Sequence, residues 1–182
     1  MQFDGTNDYM TGNIGIAQNT LSAFMVARRS SWVSCTGFFG LIGVGRDSDF
    51  NYYDGMAATE GCSNNTTISV DRNSHNINSF TTITMDNTPI IYDVIFDGSS
   101  ATSKIFPNNL SASDTEANYT TSNFNTGTYI VGSRWQTSSG VGGGTNFNGS
   151  VAEVVVYNSA LSAANRQSIE RYLGNKWNIT VP

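Results

Sequence analysis

Short apolar runs recur along the chain and are separated by clusters of Gly, Asn, Asp and Ser. In TTISV and IIYDVIF, side chains alternate between two faces, as they do along a β-strand. The runs are LSAFMVARR (21–29), GFFGLIGVG (37–45), TTISV (66–70), FTTITM (80–85), IIYDVIF (90–96), TGTYIVGSR (126–134) and FNGSVAEVVVYN (147–158). Many short strands with turns between them predict an all-β protein, a two-sheet antiparallel β-sandwich.

One segment near the end, SALSAANRQSIERYLGNKW, has a helical pattern instead. Ser162 is the predicted N-cap of a short helix over residues 162–176. Its apolar residues approximate one stripe, formed by Leu161, Ile169, Tyr172, Leu173 and Trp177. We expect this stripe to pack on the sandwich and to stabilise it. Arg166 and Gln167 lie off the stripe and are expected to be exposed.

Four segments carry a family resemblance: FDGTNDYM, IIYDVIFDGSSATSKIFPNN, TYIVGSR and FNGSVAEVVVYNSALSAANRQSIERYLGNKW. Together they resemble the laminin-G-like domains of bacteria and phages, which belong to the concanavalin A-like lectin and glucanase jelly rolls. The resemblance runs from Phe3 to Trp177, although residues 46–88 follow it only in pattern. It implies a jelly roll of two curved sheets with a structural terminal helix. It also implies a non-catalytic module that binds glycans or proteins.

Composition changes this picture mainly by excluding partners. With 182 residues the chain is expected to form one domain over 1–182. Only 13% of residues are charged and the net charge is −5, so polarity comes from Asn, Thr, Ser and Gly. Because phosphate binding requires clustered Lys and Arg, nucleic acid is not an expected partner. Such a neutral, hydrogen-bonding surface suits glycans and protein neighbours.

The same sequence gives expectations about the compartment. No apolar run is long enough to span a membrane, and no leader-like stretch precedes Phe3. The chain therefore either lacks a signal peptide or is a domain of a longer protein. Two cysteines, Cys35 and Cys62, leave open whether a disulfide forms. We expect a virion surface or an extracellular location.

Acidic residues raise the question of calcium, the one cofactor left open by the sequence. In the opening FDGTNDY, Asp4 and Asp8 supply too few oxygens for a calcium loop, so a hairpin turn between two strands is predicted. RDSDFNYYDG is a better candidate, because Asp47, Asp49 and Asn51 have the 1, 3, 5 spacing of oxygen ligands. The loop lacks the Gly and the bidentate Glu of an EF-hand, so a solvated loop is the alternative.

Catalytic motifs are missing from the sequence. Glucanases of this broad fold use paired carboxylates on one strand, but no glutamate here has an acidic residue two positions on. Glu153 is alone on its strand, where the resemblance implies a structural role. The single histidine, His75, is predicted to lie in a polar loop without partners for a catalytic set. We therefore expect no enzymatic activity.

The glycine-rich segment GVGGGTNFNG (140–149) is predicted to be a rim loop ahead of the last strand. Arg134 and Trp135 precede it and Asn146 lies within it, so an aromatic ring could stack there on a sugar. The alternative is that Trp135 is partly buried at a strand end. Asp93 is expected either on the solvent face or on a concave binding face. These four residues are the candidate ligand contacts.

Two functions from different classes follow from these observations. The first is glycan or receptor recognition, or adhesion, on a virion or cell surface. The second is a structural subunit, such as a virion decoration, capsid or tail protein, that packs against other chains or copies of itself without binding sugar. Sheet edges offer surfaces for such association.

Overall fold

The structure is a computed structural model of the 182-residue chain. It describes residues 1–13, 19–30, 39–44, 56–60, 67–72, 75–80, 86–100, 102–106, 108, 114–116, 128–133, 136–137, 140–141 and 146–182. The strands are β1 (Gln2–Asp4), β2 (Met10–Asn13), β3 (Leu21–Arg29), β4 (Phe39–Val44), β5 (Met56–Glu60), β6 (Thr67–Arg72), β7 (His75–Phe80), β8 (Ile90–Asp97), β9 (Thr102–Ile105), β10 (Asp114–Glu116), β11 (Thr128–Val131), β12 (Gln136–Thr137), β13 (Gly140–Val141) and β14 (Asn148–Tyr157). The helix α1 spans Ala163–Trp177.

These strands form two six-stranded sheets and one small ribbon within the described residues. The first sheet has the order β1-β14-β3-β8-β9-β10, and the second has the order β2-β11-β4-β5-β6-β7. Strands β12 and β13 pair only with each other. Neighbouring strands of both sheets are antiparallel. The predicted two-sheet antiparallel sandwich with one helix near its C-terminal end is therefore confirmed.

The main core lies between the two sheets and is built by alternation along the strands. Strand β3 contributes Leu21, Ala23, Met25 and Ala27; β8 contributes Ile90, Tyr92, Val94 and Phe96; the second sheet contributes Leu41, Ile42, Val44 and Val131. Phe3 and Phe147 close the core, with ring centroids 6.3 Å apart in an edge-on arrangement. Gly132, after β11, has φ +85, and a Cβ there would lie 2.3 Å from the Phe3 ring. Only glycine suits that position.

A second, smaller core explains why β3 and β8 are apolar on both faces. Phe24, Val26 and Ile91 point away from the main core and pack with Leu173 of α1. Leu161, Ile169, Val155, Tyr157, Ile179 and Val181 border this cluster. The helix therefore covers the outer face of the first sheet, where the central strands would otherwise expose apolar surface.

The helix begins at the predicted residue, but the side chains that face the sheet differ from those predicted. Ser162 caps it, with its Oγ accepting a hydrogen bond from the Asn165 N–H at 3.3 Å. Leu173 is fully buried, whereas Tyr172 is 53% exposed and Trp177 is 38% exposed. The prediction that Tyr172 and Trp177 continue the buried stripe was wrong, because these residues turn toward solvent as α1 rotates past the sheet. The expectation that Arg166 is exposed was also wrong, since only 2% of it is accessible.

Two local predictions are corrected by the strand topology. The opening segment is not a hairpin, because β1 pairs with β14 in one sheet and β2 pairs with β11 in the other. The segment is still a turn: Asp4 Oδ1 accepts hydrogen bonds from the N–H groups of Thr6 and Asn7, at 2.7 Å and 3.4 Å. His75 was predicted in a loop, but it begins β7 and pairs with Arg72.

Candidate functional site

The register of β8 and β9 places a row of polar and apolar residues on the outer face of the first sheet, beside the start of α1. Ile95 pairs with Lys104 and Asp97 pairs with Thr102. A pocket of about 520 Å³ lies between these residues and the segment that leads into the helix. We call it the helix-side pocket, bounded by Ile95, Asp97, Thr102, Lys104, Leu161 and Ala163. Its position follows from the helix crossing only part of the sheet.

An aromatic–cation stack forms another part of the pocket lining. The Arg166 guanidinium lies 3.7 Å from the centroid of the Phe106 ring. Phe106 is held at the end of β9 by a backbone hydrogen bond from its N–H to the Asp93 carbonyl, at 2.9 Å. Both side chains line the pocket, although 5% or less of either residue is exposed. This stack is the contact between the helix and the end of β9.

Beneath the stack, Arg166 joins two buried carboxyl groups. Its Nη1 lies 2.8 Å from Glu170 Oε2 and 3.4 Å from Asp93 Oδ2. Asp93 is 1% exposed and Glu170 is 0% exposed. We call Asp93, Arg166 and Glu170 the ionic cluster. Within the described part of the chain, Asp93 Oδ1 and Glu170 Oε1 are buried without a hydrogen-bond partner.

Burial dominates the electrostatics of the ionic cluster. Loss of hydration raises the pKa of Asp93 well above its ordinary value, and the nearby charge of Glu170 raises it further, while Arg166 opposes both effects. Burial likewise raises the pKa of Glu170 from 4.5 to about 7, again against the attraction of Arg166. A single guanidinium thus faces two carboxyls, and both carboxyls hold their protons to a higher pH than ordinary carboxyls do.

The cluster changes the interpretation of two sequence predictions. Asp93 was predicted on a solvent or concave face, and that placement was wrong because α1 covers this part of β8. The sequence indicated no acidic pair on one strand, but the fold brings the carboxyls of Asp93 on β8 and Glu170 on α1 to the same guanidinium, that of Arg166. Both carboxyls are enclosed and bound to Arg166, which is the arrangement of a structural ion cluster rather than of an open catalytic dyad.

A second polar contact ties the opening turn to the last strand. Asn146 is 3% exposed, and its Nδ2 donates to the carbonyl oxygen of Thr6. Asn146 therefore holds the loop 5–9 against the start of β14, a positioning contact that its glycine-rich surroundings did not indicate. Arg134 and Trp135 lie outside the described residues, directly before the β12–β13 ribbon. Their predicted role as ligand contacts stays a prediction.

The proposed calcium ligands Asp47, Asp49 and Asn51 also lie outside the described residues, as do Cys35 and Cys62. Within the residues that are described, no three His, Cys, Asp or Glu side chains group in a way that could hold a metal ion. The same part of the chain contains no helix long and apolar enough to cross a membrane.

Glu153 binds the exposed C-terminal end of α1 through hydrogen bonds. Its carboxylate accepts hydrogen bonds from Trp177 Nε1 at 2.7 Å and from Lys176 Nζ at 3.1 Å. The Trp177 hydrogen bond, followed by Lys176, lowers the pKa of Glu153. Glu153 follows the β14 bulge, where the register with β3 shifts between Val151 and Glu153. This carboxylate therefore fastens α1 to the strand.

No protein-family model matches the sequence, and a search of curated proteins finds no match either. Solved structures do match. A heptameric SAP-like pentraxin from Limulus polyphemus superimposes with a TM-score of 0.73 at 12% identity, over 93% of this chain and 80% of that chain. The CBM40 of the Ruminococcus gnavus IT-sialidase, bound to α2,3-sialyllactose, gives a TM-score of 0.69 at 11% identity, over 93% and 96% of the two chains.

NanB sialidase from Streptococcus pneumoniae also matches, with a TM-score of 0.66 at 10% identity, but only 26% of that longer chain is covered. At such low identities the likeness shows the fold alone. The finer assignment to laminin-G-like domains of the phage type stays a prediction. The fold itself is a jelly-roll sandwich of the concanavalin A-like kind, similar to those of pentraxins and CBM40 modules.

Proposed function

We propose that this protein is a non-catalytic glycan-recognition module displayed on a virion or cell surface. The observation that carries the proposal is the superposition on a CBM40 bound to sialyllactose, which uses almost the whole of both chains. The low charge and the abundance of Asn, Ser and Thr support hydrogen bonding to sugar hydroxyls.

The absence of catalysis in this proposal is supported by the position of the carboxyl groups. Glycoside hydrolysis requires two carboxyls on either side of an accessible glycosidic bond. Asp93 on β8 and Glu170 on α1 are both buried and both paired with Arg166. Glu153 is committed to Trp177 and Lys176. If Glu153→Gln abolished a measurable turnover of β-glucan or chitin oligomers, this part of the proposal would be overturned.

The proposed ligand contacts are at the rim beside the β12–β13 ribbon. Trp135 offers a ring on which a sugar can stack, and Arg134 offers hydrogen-bond donors for hydroxyl or carboxylate oxygens. Asn146 stays part of the proposal as the residue that positions the loop, because its side chain is buried against Thr6. Calcium binding by Asp47, Asp49 and Asn51 stays part of the proposal and is tested separately with a chelator.

A glycan array tests the proposal, with 3′-sialyllactose, 6′-sialyllactose and lactose as defined probes and a chelator added in a parallel run. We expect binding of at least one glycan by the parent protein and loss of binding by Trp135→Ala. Tyr172→Ala is the matched control, because it removes another exposed aromatic ring, on α1. Equal binding by both variants would reject the rim, and no binding by the folded parent would reject the function.

An assembly subunit is the second candidate, and the pentraxin match favours it. That protein is a heptamer, so the same fold can associate through its surface. In this chain the end strands are β1 and β10 in the first sheet and β2 and β7 in the second. Mass measurement in solution at several concentrations distinguishes the candidates: a stable oligomer that binds no glycan supports assembly.

A further inference from the structure

We propose that the helix-side pocket is a second binding site, specific for a small acidic sugar of the uronic acid kind. The described residues that line the pocket belong to β8, β9 and the start of α1, with the segments beside them. The proposal therefore does not depend on the rim. It rests on the volume, charge and mixed chemistry of the cavity, as formed by the described residues that line it.

The cavity has the dimensions of a small-ligand site. Its volume of about 520 Å³ falls within the roughly 300–1,000 Å³ typical of such sites. Its lining combines apolar side chains, such as Ile95 and Leu161, with the polar groups of Asp97, Ser100 and Thr102. A pyranose ring presents the same combination, with C–H groups on its faces and hydroxyls around its edge.

The charge of the pocket favours a carboxylate on that sugar. Lys104 is exposed on β9 and lines the cavity, while the ion pairs of the described residues engage Arg29, Arg166 and Lys176. Ala163, which begins α1, lines the same cavity, and the first turn of the helix contains no acidic residue. The positive end of the helix and the ammonium group of Lys104 thus act on the same space.

Other anions fit this arrangement less well. Arg166 lies at the pocket lining, but its charge is already balanced by Asp93 and Glu170. Lys104 is therefore the principal cation, and Asp97 contributes a carboxylate to the same cavity. A phosphate dianion would be repelled by Asp97, whereas a ligand with one carboxylate and several hydroxyls can place the hydroxyls there. Asp97 is itself fixed by hydrogen bonds to its Oδ1 from the N–H and the hydroxyl of Ser99.

The two lysines of the chain, Lys104 and Lys176, permit a direct test. In protein with isotope-labelled lysine side chains, each lysine gives its own NMR signal. Titration with D-glucuronate should shift the Lys104 signal and leave Lys176, which is paired with Glu153, as an internal control. D-glucose at the same concentrations should produce a much smaller shift, since it lacks the carboxylate. Equal shifts with both sugars, or no shift of Lys104, would overturn the proposal.

Variants complete the test and separate it from the proposed glycan function. Lys104→Gln should weaken glucuronate binding about tenfold or more, the loss expected when a charge-assisted hydrogen bond is removed. Lys176→Gln is the matched control and should bind like the parent, as should Trp135→Ala. Unchanged binding by Lys104→Gln would reject the pocket. A negative glycan array with a positive glucuronate titration would reject the rim and retain this site.

Discussion

Removal of Arg166 tests the main electrostatic feature of the fold. Arg166→Met keeps the length of the aliphatic stem but leaves the carboxyls of Asp93 and Glu170 buried together without a cation. Deleting one partner of a buried ion pair typically costs about 3–5 kcal/mol. Because total domain stability is about 5–15 kcal/mol, this one substitution should remove a large part of it. The loss of the stack on Phe106, at 3.7 Å, adds to the effect.

The pH dependence of this loss has a definite sign. The pKa of Glu170 is raised in the folded state from 4.5 to about 7, so the folded protein binds more protons than the unfolded chain between these values. Stability of the parent should therefore fall as pH rises from about 4.5 to 7, and the raised pKa of Asp93 acts with the same sign. One pKa unit corresponds to about 1.4 kcal/mol, so Glu170 alone accounts for roughly 3 kcal/mol. The positive charge of Arg166 offsets part of the cost of ionising Glu170. Removal of Arg166 should therefore lower the free energy of unfolding most above pH 7.

Urea denaturation at pH 5 and pH 8 measures both effects. We expect Arg166→Met to be strongly destabilised at pH 8 and less so at pH 5, where both carboxyls hold protons more readily. Glu170→Gln should flatten the pH dependence of the parent. Arg171→Met is the matched control, an exposed arginine on the same helix, and should change stability by about 0.5 kcal/mol or less. If Arg166→Met unfolds like the parent at pH 8, the ionic cluster does not hold the helix.

Three further changes test the packing. Leu173→Ala should lower the free energy of unfolding by about 2–5 kcal/mol in chemical denaturation, because the residue is fully buried. Trp177→Ala should lower it by less. Equal losses for the two variants would contradict the orientation of α1. Ser162→Ala should lower the free energy of unfolding by about 1 kcal/mol through loss of the N-cap, and Ser162→Gly by less. Gly132→Ala should lower the melting temperature through strain against Phe3; an unchanged value would exclude that strain.

Much of the fold could be predicted because its central strands carry long apolar runs. Residues 21–29 were predicted from their pattern and form β3, and residues 90–96 fall within β8. Short strands such as β9 and β10 were missed, since three or four residues show no alternation and depend on the partner strand for stability. The helix start at Ser162 was predicted because its capping signal is local.

The candidate sites were much harder to predict, for a physical reason. Asp93 and Arg166 are 73 positions apart in the chain, and no local pattern connects a strand aspartate to a helix arginine. Arg166 was assigned to solvent because it lies off the apolar stripe predicted for the helix. The signal that could have located it was the apolar outer face of β3 and β8, which requires a cover, together with Asp93 in the middle of it. The helix-side pocket arises from the same cover and has no motif of its own.

The pairing of β14 with β3 and β1 has a consequence for how the protein is made. Gly149 lies opposite Arg29, and Ser150 lies opposite Gln2. Strands β1 and β3 are therefore synthesised early but can pair with β14 only after it has been synthesised. As the polypeptide leaves the ribosome, Phe24 and Val26 stay uncovered until α1 has followed β14. Such non-local pairing slows folding and prolongs the exposure of apolar surface. We therefore expect nascent chains of this protein to need chaperone protection until synthesis has passed the last strand and the helix.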